Sequence, residues 1–302
     1  MSLVPADFNL SVGSTTSPAG RANNEDAILV RSVPALAAQG GGGFVLAVAD
    51  GMGGHEKGEV ASHLAISLLD DLFARDTPDD VAAALKQAYR RANDAIYAQA
   101  GSESESSRMG TTLVSAVVRG KYATIANVGD SRAYLIRSKQ LTQITQDHSL
   151  VAEQVAKGVI SEQDARKSPQ RNIVTQALGL SETLDRRMPS IYELTLLPED
   201  RLLLCSDGFF DVLQAEDYVS TILNHNPQDS VLSLATLAID RGTTDNVSAI
   251  VLEVSPSLAT IQREQIGTEI AASAPGMNPF LLPVVLILIL VIAIVAGVYF
   301  YL

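Results

Sequence analysis

Five aspartates in this chain fall where an apolar run begins or ends. Asp26 closes RANNED shortly before ILV, Asp50 directly follows FVLAVA, and Asp130 follows TIANVG. Asp207 directly follows LLLCS, and Asp245 precedes VSAIVLEV. Three of them adjoin a glycine (Gly51, Gly129, Gly208), which permits tight turning or close backbone approach. Carboxylates gathered at strand ends repel one another unless cations sit between them. An oxygen-only ligand set without His or Cys suits Mg²⁺ or Mn²⁺ rather than zinc. The feature to expect is therefore a divalent-cation site.

The apolar runs themselves read as strands: Ile28–Val33, Phe44–Ala49, Thr112–Val118, Tyr122–Val128, Ala133–Ile136, Tyr192–Leu197, Arg201–Cys205 and Val247–Val254, several with β-branched alternation. Between the second and third lie two helical patterns. In Glu59–Arg75 the residues Ala61, Leu64, Ala65, Leu68, Leu69 and Leu72 form one stripe at 3.6-residue spacing. The second pattern opens with Thr77 as cap, Pro78 at the first helical position and Asp79 and Asp80 as first-turn acids. Val81, Leu85, Ala88, Ala92 and Ile96 carry its core face. Further helices are expected near 215–224 and 228–241. Strands come in consecutive runs rather than strict alternation with helices. That favours an α+β, αββα sandwich of two antiparallel sheets with helices outside. The Gly40–Gly43 run reads as a flexible loop and lacks the Lys-Ser/Thr ending of a phosphate loop.

Six motifs occur in order: RANNEDA (Arg21–Ala27), VADGMGGH (Val48–His55), GTT (Gly110–Thr112), NVGDSR (Asn127–Arg132), CSDGFFD (Cys205–Asp211) and TTDNVS (Thr243–Ser248). Together they resemble the motif set of the bacterial PPM family, the type 2C metal-dependent serine/threonine protein phosphatases, over nearly all of residues 9–254. The resemblance implies that Asp50 bridges two Mn²⁺ or Mg²⁺ ions, that the Gly51 carbonyl completes the first, and that Asp207 and Asp245 hold the second. Asp26, with Glu25 beside it, matches the residue that binds metal-coordinated water. Asp130 and Asp211 match the positions of a weaker third ion, and Arg21 matches the arginine that grips substrate phosphate. His55 either protonates the leaving group or only positions substrate. A metal-bridging hydroxide would attack phosphorus in line, with no phosphoenzyme. The implied substrates are phosphoserine and phosphothreonine proteins, and the implied counterparts a serine/threonine kinase and its targets. Residues 149–188 look like the family's flap beside the metal site, suited to substrate selection. A phosphoprotein-binding module without turnover and a phosphatase for small phosphoesters are the competing readings.

Composition narrows the setting. Twenty-two Lys and Arg against 34 Asp and Glu give a net charge of −12, which repels phosphodiester backbones and disfavours nucleic-acid binding. The single cysteine, Cys205, excludes an intrachain disulfide and sits in an apolar run, where a buried hydrophobe is its natural role. The N-terminus has neither the basic start nor the apolar core of a signal peptide. The phosphatase-like region is expected to end at 254, followed by a Ser-, Ala-, Pro- and Gln-rich linker over 255–279. Residues 280–302 carry no charge and, at ~1.5 Å per residue, match the ~30 Å hydrocarbon layer. They predict one C-terminal transmembrane helix, tail-anchored in the cell membrane, with the catalytic domain in the cytoplasm.

Overall fold

The computed structural model describes residues 8–33, 43–53, 57–75, 78–101 and 109–256. Strands β1 (Phe8–Ser17), β2 (Asp26–Ser32) and β3 (Gly43–Met52) come first, then helices α1 (Lys57–Arg75) and α2 (Val81–Ala100). Next are β4 (Gly110–Thr111), β5 (Leu113–Arg119), β6 (Tyr122–Val128), β7 (Arg132–Arg137) and β8 (Gln140–Gln143). Two short helices, α3 (Leu150–Ala156) and α4 (Glu162–Lys167), precede β9 (Ser190–Thr195) and β10 (Arg201–Cys205). The described chain ends with α5 (Asp207–Phe210), α6 (Ala215–Asn224), α7 (Pro227–Asp240) and β11 (Val247–Pro256).

All the pairings are antiparallel and form two sheets. One runs β1-β11-β10-β7-β8; the other runs β2-β3-β5-β6-β9, with β4 on β3. Strand parity then builds three apolar layers. Along β3, Val45, Ala47 and Ala49 face α1 and α2, packing with Ala61, Ala65, Leu69, Leu85 and Ile96. The alternate residues Leu46 and Val48 face the other sheet, meeting Leu202, Leu204, Ile250 and Leu252. The opposite parity of β10 and β11 (Leu203, Cys205, Val251) packs on Phe209, Ile222 and Leu234 beneath α5, α6 and α7. Each fully buried Leu or Ile contributes about 1.5–3 kcal/mol of transfer free energy, so both faces of both sheets stabilise the fold. The αββα sandwich expected from the strand runs is the one observed.

Several local readings need correction. The second helix begins later than its Thr-Pro signal suggests: Asp80 is the cap, accepting from the Ala83 amide, so Pro78 and Asp79 precede the helix. An aspartate one residue before Val81 satisfies a first-turn N–H better than a threonine farther upstream. Strand β1 has no counterpart among the expected strands: Phe8, Leu10 and Val12 alternate over only five residues before a polar half, and pairing along β11 extends the strand through it. Within 149–188 the insertion contains α3 and α4, each capped by a serine, Ser149 and Ser161. The Gly40–Gly42 stretch, most of the expected linker and the apolar run 280–302 lie outside the described residues. Among the described residues no helix is long and apolar enough to cross a membrane.

Tyr89 illustrates how α2 is pinned. Its hydroxyl is fully buried within 3.2 Å of the Leu113 carbonyl, 2.9 Å of the Ala126 carbonyl and 2.9 Å of Ser115 Oγ. Tyr89→Phe removes the one partner able to link these groups across β5 and β6. Urea unfolding should register a loss of about 1–3 kcal/mol; an unchanged midpoint would show that the hydroxyl contributes nothing net.

Candidate metal centre

The same strand parity that builds the inter-sheet layer delivers the acidic residues to one edge of it. Asp50 continues the Leu46–Val48 face of β3, and Asp26 stands directly opposite it in the β2–β3 register. On the facing sheet, Ser206 continues Leu202–Leu204, while Ser248 and Asn246 continue Leu252–Ile250. Asp130 lies just past β6, Asp207 just past β10 and Asp245 just before β11, all at this edge because Cys205 pairs with both Arg132 and Ala249.

The charges are close enough to disturb one another. Asp26 and Asp130 are buried, at 3% and 6% exposure, while Asp50 and Asp207 keep some contact with solvent. Dense packing, then the Asp26, Asp207, Asp130 and Asp245 charges, push the Asp50 carboxyl well above the usual carboxylate range. Asp207 is raised likewise by burial and by Asp130, Asp245, Asp211 and Asp26. Burial lifts Asp26 to about 6, against a lowering hydrogen bond donated by Ser206 Oγ to its Oδ2 at 2.8 Å. Asp130 rises to about 7, through burial first and the Asp147 charge second.

Two buried oxygens, Asp26 Oδ1 and Asp207 Oδ1, have no hydrogen-bond partner. Among the described residues, no three acidic, histidine or cysteine side chains converge into a ready-made cage. What stands at the edge is a group of mutually repelling oxygen donors, two with unsatisfied buried atoms. Hard divalent cations fit that donor set, because they neutralise the repulsion and coordinate the orphaned oxygens.

The peptide frame around Asp50 is tightly held. Its N–H donates to Thr112 Oγ1 at 3.0 Å; its carbonyl accepts from the Thr112 N–H and from Thr111 Oγ1, each at 2.9 Å. The next residue, Gly51, cannot carry a side chain: a Cβ there would collide with the Gly58 carbonyl of α1. That absence lets the first turn of α1 approach the end of β3. Gly129, at φ 105°, serves the same purpose before Asp130, where a Cβ would run into the Thr112 side chain. Thr112 Oγ1 also sits 2.7 Å from Ser131 Oγ, joining the Asp50 and Asp130 segments.

Arg21 is at the cluster, 42% exposed. Its Nη2 lies 2.5 Å from Asp245 Oδ2 and its Nη1 3.3 Å from Glu25 Oε2. Asn246 staples the loop that carries it: Oδ1 accepts from the Glu25 N–H at 2.8 Å, and Nδ2 donates to the Pro18 and Asn23 carbonyls at 3.1 and 3.0 Å. Asp211 closes α5 and pairs with Arg171 of the 149–188 insertion at 3.3 Å. Glu25 is raised by burial first, against the lowering Arg21 charge. A cavity of about 450 Å³ opens beside Asp26, lined by Thr16, Asn23, Asn24, Ile28, Glu59 and His63. No arginine or lysine is in that lining.

The structure thus brings together Arg21, Asp26, Asp50, Gly51, Asp130, Asp207, Asp211 and Asp245; His55 lies outside the described residues. Sequence reasoning missed the positioning roles of Thr111, Thr112, Ser206 and Asn246. The signal was present, since all four belong to the six motifs, but their backbone partners lie far away in the chain.

Comparison with known proteins settles the relationship. The family model described as "Protein phosphatase 2C" matches residues 19–233. The chain belongs to the protein phosphatase 2C family. It is 37% identical over 234 residues to the serine/threonine protein phosphatase PstP of Mycobacterium tuberculosis, covering 78% of this chain and 43% of that protein. It therefore spans less than half the length of that relative. It is 36% identical over 216 residues to the serine/threonine phosphatase stp of Listeria welshimeri, covering 69% of this chain and 84% of the relative. Among solved structures, the PstP catalytic domain in complex with two manganese ions superposes with a TM-score of 0.70 at 34% identity, covering 82% of this chain and 98% of the other. Stp1 of Staphylococcus aureus gives 0.74 at 33%, covering 83% and 97%. A protein phosphatase 2C fold built on repelling carboxylates has a testable pH signature.

Without divalent cations, Asp26 and Asp130 hold their protons to higher pH in the folded state than in the unfolded chain. Their contribution is fully present below the ordinary aspartate range and is lost as pH rises through about 6 and about 7. A tenfold difference in proton affinity between the two states is worth ~1.4 kcal/mol, so stability in chelator should fall by a few kcal/mol from about pH 4.5 to 7.5. Urea midpoints across that range test this; a flat or rising profile would contradict it.

Proposed function

We propose that the chain is a metal-dependent serine/threonine protein phosphatase that uses Mn²⁺ or Mg²⁺. The observation that carries this reading is the group of carboxylates at one edge of the inter-sheet layer with Arg21 beside it. In the reading, Asp50 would contact both core ions, the Gly51 carbonyl would complete the first, Asp207 and Asp245 would hold the second, and Asp26 would hold metal-coordinated water. Asp130 and Asp211 serve a weaker third ion. Bound as a pair, such ions supply a water of lowered pKa and neutralise charge at the phosphoryl group.

The chain's own residues do the rest. Thr111 and Thr112 fix the Asp50 peptide, and Ser206 orients Asp26 through its Oδ2. Arg21, half-exposed on the rim, presents a planar fork that matches two phosphate oxygens, which a lysine could not. No side-chain nucleophile is required. The 149–188 insertion, tied to the rim by Arg171, is placed to select among phosphoproteins, and a protein kinase is the implied counterpart.

Mn²⁺-dependent phosphate release from phosphothreonine peptides, set against sugar phosphates, tests the substrate class. Asp50→Asn should abolish turnover, by about 10³-fold or more, in a protein that stays folded by circular dichroism. Half-normal activity in that variant would sink the two-ion assignment, and peptide binding without wild-type turnover would favour the binding-module reading.

We also propose that the uncharged run 280–302 anchors the chain in the cell membrane, with the phosphatase unit on the cytoplasmic side, where kinases act. Its length and lack of charge support this, as does the lone cysteine. The full chain should pellet with membranes and resist carbonate extraction, whereas a chain ending at 256 should not. External protease on spheroplasts should spare the domain; release by carbonate, or digestion from outside, would overturn the respective half of the proposal.

A further inference from the structure

Arg132, the first residue of β7, lies at the junction of two segments that present acidic residues to the centre. Its guanidinium grips Asp147, with Nε 3.0 Å from each carboxylate oxygen and Nη2 2.6 Å from Oδ2. Nη1 donates to the Tyr134 hydroxyl at 2.9 Å, and the Tyr134 ring stacks on Tyr218 of α6. The guanidinium carbon lies 3.6 Å from the centre of the Phe210 ring. Phe210 is the last residue of α5, between Asp207 and Asp211. On the other side, Asp147 adjoins His148, which holds Gly129 at both ends: Nδ1 accepts from the Gly129 N–H at 3.1 Å, and its own N–H donates to the Gly129 carbonyl at 3.0 Å. Asp130 is the next residue. His148 also leads directly into Ser149, which caps α3 of the insertion.

One cation therefore ties α5 to the segment behind Asp130 and to the root of the insertion. We propose that Arg132 is a positioning residue that fixes Asp130, Asp207 and Asp211 relative to one another, so that the loosely held third ion depends on it. Stability alone does not explain such a group, since a buried ion pair is often no better than apolar packing of equal volume. What an apolar replacement cannot reproduce is the combination of a planar fork to Asp147 and a flat face to Phe210. Lysine keeps the charge but loses both geometries. The inference rests on the metal reading above, and it concerns side chains that reach the ions only through others.

The test is calorimetric Mn²⁺ titration with steady-state kinetics on a phosphothreonine peptide, for the wild-type chain, Arg132→Lys, Phe210→Leu and the double variant. In Arg132→Lys the weakest Mn²⁺ site should weaken about 10-fold or more, with the tighter sites retained, and kcat should fall about 10-fold with KM within twofold. Phe210→Leu should shift the same site by about 3-fold, and the double variant should fall short of the product of the two. A lysine variant that titrates like wild type, or two effects that multiply independently, would overturn the proposal. If Arg132→Lys does not fold, Phe210→Leu decides alone, and an unaltered weakest site in it counts against the proposal. A wild-type chain that binds no Mn²⁺ would instead defeat the metal reading itself.

Discussion

Repulsion among carboxylates held in a confined space is the interaction on which the rest of this structure depends. Asp26 and Asp50 face each other across a strand register, and Asp130, Asp207 and Asp245 reach the same edge from the neighbouring turns. No fold would assemble such a group for stability, since burial and like charge both oppose ionisation. The scaffold holds it by rigidity. Two sheets with apolar residues on both faces fix where each strand ends, and hence where each acid stands.

That rigidity is finished by hydrogen bonds from neutral side chains. Thr111 and Thr112 hold the Asp50 peptide, Asn246 holds the loop of Arg21 and Glu25, and Ser206 holds Asp26. Each places a neutral donor or acceptor beside a charged group, adding order without adding charge. The arginines work differently. Arg21 and Arg171 meet acids of the rim, Asp245 and Asp211, from the exposed side. Arg132 meets Asp147 from within. Arginines thus meet carboxylates at the margin of the acidic edge.

Much of this is legible in the sequence, for a physical reason. An aspartate beside an apolar β-branched run marks both a strand end and a ligand, so strands such as Tyr122–Val128 and Arg201–Cys205 and their acids emerge from one signal. The run FVLAVA is apolar throughout, so only the structure separates its two core faces and puts Asp50 on that of Leu46 and Val48. What stays hidden depends on long-range pairing. Phe8, Leu10 and Val12 alternate with polar residues, but the signal is short and its second half, STTS, is a strand because β11 supplies its partners. Asn246 looks like an ordinary turn residue until the Pro18, Asn23 and Glu25 backbones close around it. The start of α2 is misplaced by the sequence pattern because two capping signals compete within four residues and the one nearer the apolar stripe wins.

The chain's single thiol is sealed away from all of this chemistry. Cys205 lies under the helices that cover β10 and β11, and burial pushes its pKa up to about 12, so it carries no thiolate at neutral pH. Peroxides and electrophiles select thiolates at the surface. A chain whose only sulfhydryl is protonated and enclosed offers them no such target. The acidic edge draws its donors from carboxylates, so thiol oxidation has no ligand there to remove.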